Sequence, residues 1–210
     1  AWDPYNVTED ADLGIRLHAH GYRTDVIAST TLEEANPDVG NWIRQRSRWT
    51  KGYIQTWLVH MRTPRTLCRR LGVRGFASFH LTIGGAFLTQ LMNPLFWSLT
   101  ILWYATHWSF LQAIFSGFWF YLASTSFFAG NFLLVGLTLL SCLRERDYGL
   151  VRHMLTIPAY WVLMSIAAWK GMIQLVRNPW YWEKTTHGLA RMLVRPEAPA
   201  REPVLAFDQE

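Results

Sequence analysis

From residue 8 to residue 20 the run TEDADLGIRLHAH places Leu13 and Leu17 four apart, the spacing that brings two side chains onto one helix face. Thr8 suits the N-cap, Glu9, Asp10 and Asp12 sit where the helix dipole favours anions, and Gly21 suits the stop. The pattern predicts a short helix with Leu13 and Leu17 buried. Tyr22–Thr31, rich in β-branched residues, predicts a strand, and LEEANP a loop. From Asp38 a helical pattern runs to Arg62, where Pro64 ends it. Its Trp42, Trp49, Tyr53, Trp57 and His60 recur at steps that suit one side of a helix, with Arg44, Arg46, Arg48 and Lys51 interleaved.

Thr63–Gly75 reads as a basic linker carrying Arg65, Arg69, Arg70 and Arg74, a cluster that marks the cytoplasmic edge of a hydrophobic region. Three apolar segments follow, Phe79–Tyr104, Phe118–Leu140 and Val151–Val176, each reaching the roughly 20 residues a membrane-spanning helix requires. The first contains Asn93-Pro94 near its middle. Three single crossings put Arg177, Lys184, Arg191 and Arg195 outside, against the positive-inside bias, whereas a first segment split at Pro94 into two inserted pieces returns them inside. Helix length favours the first arrangement and charge bias the second. The end of the chain, from Glu197, has little periodicity.

Charge confirms the class. No Asp, Glu, Lys or Arg occurs from Phe76 to Leu143, 68 residues in a chain of 210. Charged residues make up 17% of the chain, against about 25% in typical soluble domains. This excludes disorder, a small secreted scaffold and an ordinary soluble enzyme, and predicts an integral membrane protein with a water-facing N-terminal part. The net charge of +5 lies beside the apolar region, where anionic headgroups attract it, and no nucleic-acid motif accompanies it. The lipid bilayer is the expected partner, not nucleic acid. Cys68 and Cys142 are expected to be reduced thiols. The polar opening AWDPYNVTED, without Met or signal sequence, predicts a piece of a longer protein.

Two clusters can carry chemistry. Taken alone, Thr8-Glu9-Asp10 is a capped helix start, and a Trp/Arg-rich helix beside a membrane is an interfacial anchor. Together, in order and directly before apolar helices, Thr8-Glu9-Asp10 and Gln45-Arg46-Ser47-Arg48-Trp49 resemble the TED and Q-x-x-R-W motifs of processive family 2 glycosyltransferases, the cellulose- and hyaluronan-synthase-like enzymes of bacterial membranes. WDPYNVTEDADLG, RWTKGY and NPWYWEKTTHG extend the resemblance over all but the last fifteen or so residues.

The resemblance implies a mainly α chain: the C-terminal part of a GT-A-like α/β catalytic domain over 1–75, a multi-pass transmembrane helical region over 76–176, and a polar tail over 177–210. It implies a cell-membrane enzyme, its catalytic part cytoplasmic, that transfers a sugar from a nucleotide-sugar, UDP-linked, to a growing glycan with inversion. Asp10 is then the general base, with Glu9 and Thr8 supporting it. Gln45, Arg48 and Trp49 line the acceptor and diphosphate site. A carboxylate can take a proton from a hydroxyl, a guanidinium fork suits diphosphate, and an indole face suits a sugar ring. Mg²⁺ or Mn²⁺ is expected, with its ligands upstream of this chain; Asp10-x-Asp12 belongs to TED and is not the metal site. The fragment alone is expected to be inactive. The alternatives are transfer of a single sugar to a lipid carrier and a non-catalytic membrane or transport subunit.

The remaining polar residues have plainer readings. His18 and His20 are two apart and cannot form an i,i+4 metal pair. Lys170, two turns from the end of the third segment, is expected to snorkel to the headgroups.

Overall fold

The computed structural model describes Asn6 and residues 8–27, 29, 31, 33–114, 116–181, 183–186 and 188. Among these described residues seven α-helices follow one another: α1 (Glu9–Ala19), α2 (Val39–His60), α3 (Pro64–Phe79), α4 (Gly85–Thr106), α5 (Ser109–Ile114), α6 (Gly117–Arg144) and α7 (Ile157–Arg177). A π-helical turn, His80–Gly84, joins α3 to α4, and a 3₁₀ segment, Tyr148–Thr156, leads into α7. The described residues contain no strand.

α1 and α2 form where the polar–apolar pattern predicts. Asp38 caps α2 by accepting from the Asn41 amide, and Gly21, at φ +83°, turns the chain after α1. Pro64 opens α3 after the short turn that ends α2, because its missing N–H costs nothing in the first turn.

Several expectations need correction. Thr8 stands at the N-cap of α1 but its side chain makes no capping bond; the hydroxyl is committed to α2 instead. The buried face of α1 does not centre on Leu13 and Leu17, both half-buried. Asp12 is its buried residue, and Ile15 and Ala19 pack onto α3. The strand at 22–31 is absent among its described residues: Val26 and Ile27 are 93% and 80% exposed, and β-branched residues favour a pleated surface only when neighbours pack on it. The basic linker 63–75 is helical, its Leu67 and Leu71 burying one face while Gly72, at φ +69°, breaks the helix. α4 runs through Pro94 without interruption.

α2 is the hub. On one side Leu67, Leu71 and Phe79 form a small core with Ile15, Ala19, Trp57 and Met61. On the other, Ile54 packs with Phe87, Leu91 and Ala168, and Tyr53, Trp57, Met172 and Leu175 close around them. Trp57 belongs to both cores.

α2 and α7 cross with their backbones in close approach. A Cβ on Gly171 would lie 2.5 Å from the Ser47 carbonyl oxygen and 3.3 Å from the Lys51 amide nitrogen. Gly171→Ala is therefore expected to force the helices apart at a cost of about 1–3 kcal/mol, read as a lowered thermal midpoint. Gly14→Ala is the control: a Cβ there meets nothing within 4 Å. Equal behaviour of the two variants would show that the crossing is looser than described.

One continuous helical stretch among the described residues, Tyr148–Arg177, is long and apolar enough to cross a membrane; Phe132–Arg144 is apolar but shorter. α4 carries Thr89, Gln90, Asn93, Ser98 and Thr100 along its length, which lowers its hydropathy. Ser98 and Thr100 donate to carbonyls one turn back, Pro94 and Phe96, each at 2.7 Å, the local bond by which a hydroxyl is satisfied within an apolar helix.

Candidate active site on helix α2

Helical arithmetic on α2 explains how the first cluster is held. Gly52, Thr56 and His60 succeed one another at four-residue steps, so they form one stripe. Each meets the chain around α1. A Cβ on Gly52 would lie 2.6 Å from Thr8 Cγ2, so only glycine admits Thr8 there. The Thr56 hydroxyl lies 3.2 Å from that of Thr8 and accepts from Asn6 Nδ2 at 2.8 Å, while Asn6 Oδ1 accepts from the Thr8 amide at 3.1 Å. His60 Nε2 lies 2.7 Å from Asp12 Oδ1, and Arg16 Nε donates to Asp12 Oδ2 at 2.6 Å.

Thr8 and Asp12 are thus buried attachments, and Asp10 between them is exposed. Its carboxylate accepts from the neighbouring Ala11 amide at 2.8 Å. It opens onto a groove of about 330 Å³ between α1, α3 and the π-helical turn, lined also by His18, Ser78, Phe79 and Thr82. Glu9 is half-buried at the helix start.

Gln45, Arg48 and Trp49 are half-buried on α2. Arg48 lies one turn before Gly52 on the stripe that carries Thr8. The two motifs therefore approach each other through Thr8, two residues from Asp10; none of the three α2 residues lines the Asp10 groove. One face of Trp49 is taken: the Arg46 guanidinium lies 4.3 Å from its ring and 5.3 Å from that of Trp42. Burial lowers the Arg46 pKa, although Tyr53 and Tyr160 favour its charge.

Asn41, Ser47 and Lys51 of α2 make a second set of buried contacts. Lys51, 2% exposed, donates from Nζ to the Asn178 carbonyl at 3.0 Å and the Tyr181 carbonyl at 2.9 Å. Burial lowers its pKa. Asn41, fully buried, exchanges two bonds with the backbone of Thr186, at 2.8 and 3.1 Å. Between them Ser47 donates to Glu183 Oε2 at 3.5 Å. These contacts strap described residues after α7 along α2. Lys170 does not snorkel freely: it donates to Glu183 Oε1 at 2.8 Å, and Gln174 Nε2 to Oε2 at 2.9 Å. Asn41, Ser47 and Lys51 share no periodic signal, and their partners lie well over a hundred residues away.

Glu183 gives this strap a pH dependence. Burial raises its pKa, but the bonds from Lys170 and Gln174 and the charges of Lys170 and Arg44 outweigh it, leaving the carboxyl below its usual 4.5. A lowered native pKa stabilises fully above the unfolded value and is lost as pH falls through the native one. Hydrogen-exchange protection of 178–181 and 183–186 is expected to fall below pH 4.5, and Glu183→Gln to flatten that acid limb. An unchanged acid limb in the variant would assign it to another group.

Asp10-x-Asp12 does not fit a divalent cation, because both Asp12 oxygens are occupied by Arg16 and His60. No cluster of three or more His, Cys, Asp or Glu suited to a metal occurs among the described residues.

With this geometry in place, the comparisons define the class. The glycosyl transferase family group 2 profile matches residues 1–173, and the chain belongs to that family. Its members transfer a sugar from a nucleotide-sugar donor to an acceptor. The chain is also similar to the beta-monoglucosyldiacylglycerol synthase of Synechocystis sp., 33% identical over 63 residues. That match covers 29% of this chain and 13% of the relative, so the chain corresponds to only a small part of the relative's length. No solved structure matches the chain.

Proposed function

We propose that the protein is a membrane-embedded, inverting glycosyltransferase that moves a sugar from a UDP-linked donor to a growing glycan. The observation that carries this reading is the docking of Thr8 on Gly52, one turn from Arg48, in a family 2 chain. Asp10, exposed beside this junction, takes the proton of the acceptor hydroxyl. The freed oxygen bonds to the anomeric carbon as the bond from that carbon to the diphosphate breaks. Arg48 meets the charge on the departing diphosphate with its planar fork, and Gln45 hydrogen-bonds sugar or phosphate. The acceptor ring stacks on the Trp49 face that Arg46 leaves open. Mg²⁺ or Mn²⁺ belongs, in this reading, to residues other than these. The apolar helices α4, α6 and α7 lie in the cell membrane, with the catalytic part on the cytoplasmic side. Large apolar residues such as Phe96, Ile101, Leu133 and Val162, each at least 60% exposed, support that placement.

A second reading has its own support. The relative's name describes a glucosylated diacylglycerol, and a single sugar added to a lipid hydroxyl needs the same base and cation. Incubating membranes that hold the full-length enzyme with radiolabelled UDP-sugars separates the two. Label in a large, solvent-insoluble product supports glycan synthesis; label extracted into organic solvent supports the glycolipid; no transfer from any donor overturns both.

A further inference from the structure

Trp42, Arg46, Trp49 and Tyr53 of α2 follow one another at steps of four, three and four, so they share one side of the helix. The Arg46 guanidinium lies between two indoles, 5.3 Å from the Trp42 ring and 4.3 Å from that of Trp49. α7 fixes the far end of this stack: Tyr160 meets Trp42 edge-on, with ring centroids 5.7 Å apart.

Charged side chains that leave water are ordinarily paired. Arg46 has no such partner among the described residues. Its Nε is buried without a hydrogen bond, and the groups that act on its charge are Tyr53 and Tyr160 rather than a carboxylate. What this guanidinium meets is aromatic rings. A planar cation stacks on an indole face, and the compact ammonium of a lysine lacks that plane.

Position around α2 gives the contact a direction. At about 100° per residue, Trp49 lies about 60° from Arg46, and Gln45 and Arg48 lie beyond it on the same side, about 100° and 160° from Arg46. Arg46 therefore covers Trp49 from the side away from Gln45 and Arg48.

We propose that Arg46 is a positioning residue: without touching substrate, it holds the Trp49 indole against the Trp42–Tyr160 stack and so offers the acceptor sugar a ring face of fixed orientation beside Gln45 and Arg48. The proposal rests on the reading of Trp49 as the platform for the acceptor sugar. Affinity for the acceptor then depends on Arg46, and affinity for the donor does not.

The test is a comparison of two Michaelis constants. Full-length enzyme in membranes is assayed with the UDP-sugar that it transfers, and short oligosaccharides cut from its own product serve as acceptor. Arg46→Met is expected to raise the acceptor KM about two- to thirtyfold, the range of one cation–π contact, and to leave the donor KM unchanged. Arg46→Lys, which keeps the charge without the plane, should show the same split at a smaller size, and it carries the test alone should the methionine variant not fold. In a Trp49→Ala background Arg46→Met should add nothing, because its effect runs through the ring. A donor KM that rises with the acceptor's would put the Arg46 charge on the diphosphate and overturn the proposal. A further rise in the double variant would overturn it too. If Trp49→Ala raises the acceptor KM and neither Arg46 variant does, the positioning role falls alone. If Trp49→Ala leaves that KM unchanged, or the product is a glycolipid and the acceptor no sugar, the platform reading falls and the proposal with it.

Discussion

Asp10→Asn in the full-length enzyme is expected to lower sugar transfer by about 10²–10⁴-fold, the range over which a positioned base acts, while leaving the fold untouched. The separation of the two effects follows from where the side chain sits. Asp10 is exposed, and its one described bond, to the Ala11 amide, can be kept by the carbonyl oxygen of an asparagine. Its removal therefore strands no buried partner, and stability should stay within about 0.5 kcal/mol. Initial rates with labelled donor, alongside thermal melting of the same preparation, check both halves. Turnover close to that of the parent would take Asp10 out of the mechanism.

Asp12→Ala, two residues on, is expected to do the reverse. Asp12 is 1% exposed and holds Arg16 and His60 on its two oxygens. Breaking a buried pair by removing one partner costs about 3–5 kcal/mol, and here the pair fastens α1 to α2. The variant should lose cooperative unfolding at lower denaturant, and α1 should become open to proteolysis near Gly21. A cycle with His60→Ala should show strong coupling between the two positions. A loss below about 1 kcal/mol would place the pair among ordinary surface contacts.

These two acids show what a sequence can and cannot disclose. Their carboxylates both suit a helix N-terminus, and only tertiary contacts make one a buried tie and leave the other facing a groove. The α1 and α2 boundaries were legible because caps and stops are local: Asp38, Pro64 and Gly21 act on their own neighbours. The strand at 22–31 was misread because a strand depends on partners, and nothing among the described residues covers Val26 or Ile27. In 63–75 the arginines drew attention from Leu67 and Leu71, whose four-residue spacing already pointed to a helix. Lys170 looked like a headgroup ligand because Glu183 lies beyond the end of its helix. Lys51 and Asn41 bind backbone carbonyls and amides, which carry no residue-type signal. The proposed site residues were readable as motifs; that Asp10 and the α2 motif flank Thr8 rather than share one groove was not.

The backbone contact at Gly171 limits how the molecule can move. With α2 wedged against α7 and bolted to α1 through Gly52, Thr56 and His60, one wall of the Asp10 groove belongs to a single stiff block. The opposite wall hangs from α3, which is broken at Gly72. The two parts of that wall, Leu71 before the break and Gly75 after it, therefore take their relative placement from the backbone turn at Gly72.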